Sequence, residues 1–69
     1  MTDTELLRSK IEEKGLKLNS IASQLGLTYY ALSLKISNKS EFKAEEIQKL
    51  CTILSINSLR EKENIFFKQ

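Results

Sequence analysis

The chain contains no histidine, no proline and no tryptophan, and only one cysteine and two glycines among its 69 residues. Without histidine it lacks the commonest general base and the commonest zinc ligand. The single Cys51 cannot build a ligand cluster, so no metal site is expected. One cysteine also rules out an intrachain disulfide, which suits a reducing intracellular compartment. No apolar run reaches the ~18 residues that a membrane span needs. The opening Met1-Thr2-Asp3-Thr4-Glu5 is acidic and polar, unlike a secretory leader. There is no glycine-rich phosphate loop and no Asn-Gly or Asp-Gly hairpin turn. Glu12-Glu13 and Glu45-Glu46 are adjacent pairs, which on a helix point to different faces and make no catalytic dyad. These absences predict a non-enzyme with no catalytic residue, no cofactor, no small-molecule substrate and no membrane partner.

What the chain does have is helical periodicity, and one stretch organises it. In Leu18 to Ser37, the residues Leu18, Ile21, Ala22 and Leu25 fall at i, i+3, i+4 and i+7, one apolar stripe of a short helix. Gly26 follows where a left-handed residue is wanted. Thr28 can cap the next helix, and Leu27 and Leu32 have the spacing of a hydrophobic staple. Ala22 is small where a second helix must cross. Together these form a helix-turn-helix signature. The second of the two helices is predicted from Tyr29 to Ser37, with Leu32 and Ile36 inward and one edge of Tyr29 beside them. The opposite stripe, Tyr30, Ser33, Leu34 and Ser37, then faces outward.

The flanks read as three further helices. Thr2 and Glu5 have capping-box spacing, with Met1 and Leu6 placed as a staple, ahead of a helix from Asp3 to Lys14 that buries Leu6, Leu7 and Ile11 and stops at Gly15. The helix after Gly15 is poorly capped, because Lys17 carries no acceptor and Asn19 is the nearest residue that does. After the polar turn Asn38-Lys39-Ser40-Glu41, Phe42 and Ile47 can staple a fourth helix whose cap, Lys43, supplies only half a box with Glu46. Ile47, Leu50, Cys51 and Leu54 form its buried stripe, and Cys51 reads as an inert core thiol. Ser58 and Glu61 open a last helix over Leu59 to Phe66. At its end Phe66 is expected to seal the core, while Ile65 and Phe67 point elsewhere and could form a homodimer seam; a short Ile-Phe-Phe strand is the other reading. The whole chain, residues 1–69, is expected to be one all-α domain, a compact bundle of five short helices.

Net charge is only +2, but its distribution is uneven. From Lys14 to Lys43 five lysines stand against one acid, Glu41, while the rest of the chain is net acidic. An outward helix of about nine residues is ~14 Å long and fits the major groove of DNA. Lys17, Lys35, Lys39 and Lys43 are then placed to neutralise phosphates, and the N-termini near Leu18 and Thr28 offer free N–H groups. Tyr29, Tyr30, Ser33 and Ser37 can bring hydroxyls to bases or backbone, and Leu34 can meet a thymine methyl.

Asn19 to Lys39, with its Ala22, Gly26, Leu27 and Leu32 framework, resembles the helix-turn-helix of the Cro/CI-type (XRE-like) regulators. The rest of the chain extends the likeness over nearly its full length, through the LxxKIxxxGL pattern at Leu7 to Leu16, the SEFKAEEIQKLCTIL run at Ser40 to Leu54 and the Ile-Phe-Phe ending. It is similar to the short Cro-like proteins and modulators of repression of temperate phages of Gram-positive bacteria. The resemblance implies a lambda repressor-like DNA-binding domain in the cytoplasm of a bacterial host, serving a lysis–lysogeny switch. Such proteins bind double-stranded operator DNA, or bind the phage CI repressor and disable it. The family's base-reading positions fall on Thr28, Tyr29, Tyr30 and Ser33, and its phosphate-contacting loop on Asn38 and Lys39. Two departures shift the balance between these partners. Leu18 stands where many members place a glutamine, and Tyr29, Tyr30 and Leu34 stand where many carry the arginine, glutamine or asparagine that pairs with bases. Tyrosine is a common anchor of protein interfaces.

Overall fold

The computed structural model describes all residues, 1–69, and is wholly helical. Its elements are α1 (Thr4–Glu13), α2 (Leu18–Leu25), α3 (Tyr29–Ile36), α4 (Ala44–Ile53) and α5 (Leu59–Phe66). The strand considered for the C-terminus does not form; α5 continues to Phe66. No helix is long and apolar enough to cross a membrane.

The helix ends follow local chemistry. Gly15 and Gly26 stop α1 and α2 with φ of 68° and 72°. At the second of these turns the Leu27 N–H reaches back to the Ala22 carbonyl at 2.8 Å, closing the helix end. Thr28 caps α3, its hydroxyl accepting from the Ala31 N–H at 3.0 Å. Lys17 caps α2 with no side-chain hydrogen bond, so the leading N–H groups of that helix stay open. Lys43 caps α4 equally poorly, but its own N–H donates to Glu46 Oε1 at 2.8 Å, the half box expected.

Two caps differ from the sequence reading. Asp3, not Thr2, caps α1, accepting from the Leu6 N–H at 3.1 Å. Thr2 is buried instead, and Met1 and Leu6 are both exposed, so no staple closes over that end. At α5, Ser58 accepts from the Glu61 N–H, but the Glu61 carboxylate does not return the bond. It pairs with Lys10 of α1 at 3.3 Å, a tertiary contact in place of a local one.

One apolar cluster holds the helices together. Leu7 and Ile11 of α1, Ile21, Ala22 and Leu25 of α2, Leu32 and Ile36 of α3, and Ile47 and Leu50 of α4 are buried in it with Leu54, Ile56, Ile65 and Phe66. Burying a side chain of this size contributes roughly 1.5–3 kcal/mol before chain entropy is charged against it. Phe66 seals the core as expected and meets Phe42 edge-on, ring centroids 5.7 Å apart. Ile56, read only as part of a connector, joins the cluster, whereas Leu59 stays exposed. Ile65 is fully buried, so it cannot belong to a dimer seam; Phe67, half exposed, is what remains of that surface.

The ends of the chain lie together. The Asp3 N–H donates to the Ile65 carbonyl at 2.6 Å, and the Lys68 N–H to the Met1 carbonyl at 2.8 Å. Residues 1–3 thus run beside the end of α5 and fill its backbone bonds.

Candidate binding face on the third helix

The face begins with how α3 is seated. Leu32 and Ile36 are 1% and 0% exposed, which fixes the rotation of the helix about its axis. The opposite stripe turns outward as expected. Tyr30 is 71% exposed and Tyr29 52%. Ser33 and Leu34 are half-buried at the flank of the stripe, and Ser37 closes it at the exposed end. The Ser37 hydroxyl donates to the Ser33 carbonyl at 2.9 Å, so its proton is used within the helix and only its lone pairs face out. Thr28 is exposed, but its oxygen is already engaged as the cap.

Lys17, Lys39 and Lys43 are exposed at the start of α2, just past α3 and just before α4. Two residues expected beside them on phosphates are engaged within the chain instead. Lys35 is buried, its ammonium donating to Glu46 Oε1 at 2.8 Å and to the Glu41 carbonyl at 3.1 Å. The cause is positional: Lys35 lies at i+3 from Leu32 and adjoins Ile36, so it sits on the inner stripe and only an acid from another helix can accommodate its charge. Burial alone would raise the Glu46 carboxyl. The Lys35 ammonium and the Lys43 N–H outweigh it and hold the group below its ordinary value.

Asn38 is the second correction. Its carboxamide is engaged within the chain, accepting from the Thr2 N–H at 2.8 Å and donating to the Thr2 carbonyl at 2.7 Å. Its backbone is left-handed, φ 65°, which asparagine tolerates better than most residues. Asn38 therefore ends α3 and grips the N-terminal segment; its side chain is not free for a phosphate.

What remains is a face of phenols, hydroxyls and one aliphatic side chain, with cations at its margins. Residues 15–40 contain no Asp or Glu, so nothing in α2, α3 or their turn repels an anionic partner. No three His, Cys, Asp or Glu side chains gather where they could hold a metal ion. Cys51 is half-buried, and burial pushes its thiol up, away from the reactive thiolate. No protein-family model, no curated protein and no solved structure matches this chain.

Proposed function

We propose that this chain is a Cro-like regulator of a phage lysis–lysogeny switch that binds operator DNA through α3. The supporting observation is the rotation of that helix: with Leu32 and Ile36 buried, Tyr30 and Ser37 face outward with Ser33 and Leu34 partly exposed between them, on a stretch, residues 15–40, that contains no Asp or Glu. The open N-terminus of α2 and the exposed Lys17, Lys39 and Lys43 supply phosphate contacts, which position such a protein on the duplex.

A second reading has its own support. With Lys35 paired to Glu46 and Asn38 bonded to Thr2, the face keeps fewer phosphate ligands than its sequence offers, and it exposes the aromatic ring of Tyr30. That composition suits a modulator of repression gripping the DNA-binding domain of the phage CI repressor through the same face.

Titration with phage switch-region DNA and with purified CI repressor, as separate baits at several salt concentrations, distinguishes the two. Operator affinity falls steeply with ionic strength as counterions leave, whereas a tyrosine-anchored protein contact changes much less. Under the second reading Tyr30→Ala costs ~2 kcal/mol or more in repressor binding while Lys39→Ala costs little. If Tyr30→Ala weakens neither complex, the face is misplaced and both readings fall.

A further inference from the structure

Residues 1–3 are hydrogen-bonded on both sides. On one side Met1 and Asp3 bond to Lys68 and Ile65; on the other, the N–H and carbonyl of Thr2 bond to the carboxamide of Asn38. Bonds alternating in this way from residue to residue are those of a strand between two neighbours, and here one neighbour is a single side chain. The Asn38 amide satisfies a donor and an acceptor that would otherwise lie unpaired on a buried residue. Thr4 adds to the contact, its hydroxyl donating to the Ile36 carbonyl at the last turn of α3.

Resting on the α3 reading above, we infer that Asn38 is a positioning residue: it holds the exit of α3, and with it Lys39, by gripping the main chain of Thr2, and does not itself touch the partner. The N-terminal segment then belongs to the support of the binding face although it lies outside the helix-turn-helix stretch. The exit is built for this. The Lys39 and Ser40 N–H groups both return to the Leu34 carbonyl, so a shift of Asn38 loosens both.

Two variants test the link from opposite ends. Asn38→Gly keeps the left-handed backbone and removes the carboxamide, so the grip on Thr2 is lost without backbone strain and the urea midpoint falls only by the cost of those bonds. Thr2→Pro removes the N–H that Asn38 accepts from and alters nothing on α3. In each, amide exchange at Lys39 and Ser40 is expected to quicken by about tenfold. Affinity for whichever bait the native chain binds, switch-region DNA or CI repressor, is expected to fall by about threefold to tenfold. The double variant is expected to lose no more than Asn38→Gly alone, because the bond that Thr2→Pro cuts is one of the two that Asn38→Gly cuts. A Thr2→Pro protein with native affinity beside a weakened Asn38→Gly protein puts Asn38 on the partner and overturns the inference. So does native exchange at Lys39 and Ser40 in both, or native affinity in both. If the native chain binds neither bait, the α3 reading fails, while the exchange rates still decide whether the grip on Thr2 governs the exit.

Discussion

The Lys35 ammonium lies 2.8 Å from Glu46 Oε1, both side chains about nine-tenths buried, and the pair ties the end of α3 to the first turn of α4. A buried pair of this kind is costly to break from one side, because the abandoned charge has no water to turn to. Glu46→Gln is therefore expected to lower stability by about 2–3 kcal/mol. Urea unfolding measures it, and a native midpoint would show that the pair carries no load.

The same carboxylate sets an acid limb. Its value in the folded chain lies below the 4.5 it ordinarily has, so its contribution is complete above pH 4.5 and fades as the pH drops through the depressed value. The stability gap between the native chain and Glu46→Gln is expected to narrow on that descent. A gap that widens in acid reverses the sign.

If α3 binds operator DNA as proposed, Lys35 and Lys39 are expected to separate in a salt titration. Lys39→Ala lowers the slope of log affinity against log salt by about one, and Lys35→Ala leaves it unchanged while lowering the urea midpoint. Equal slopes for the two variants would return Lys35 to the phosphate contacts.

Lys43 is a cap without an acceptor. Its backbone is already extended, φ −78° and ψ 155°, as a cap residue requires. Lys43→Thr supplies the missing oxygen to the Glu46 N–H, completes the box and is expected to stabilise the fold by ~0.5–1 kcal/mol. The urea midpoint checks it, and no rise means the lysine already satisfies that end.

At Gly26 an added methyl meets no atom within 4 Å, so any loss on substitution comes from the backbone at φ 72°. Gly26→Ala is expected to cost about 1 kcal/mol. A much larger loss would point to crowding at the α2–α3 turn.

The pattern of apolar residues carried most of this architecture. Leu32 and Ile36 set the rotation of α3, Gly26 and Thr28 its start, and Leu59 to Phe66 the bounds of α5, and each of these is local. The misjudged residues depend on partners far along the chain. Lys35 is inward because Glu46, eleven residues on, is there to meet it; its place on the Leu32–Ile36 stripe was the available signal. Asn38 and Thr2 bond across 36 residues, a pairing no local window contains. Ile65 is buried and Leu59 exposed because the N-terminal segment and α1, not helical spacing alone, choose the inner side of α5.

Tyr29 and Tyr30 are the only tyrosines, and there is no tryptophan. Ultraviolet fluorescence of this chain therefore originates almost entirely in the first turn of one helix, the same turn whose rings face solvent. The molecule carries its own optical reporter on the face proposed to meet its partner, and quenching of that emission during a titration would follow occupancy without any attached dye.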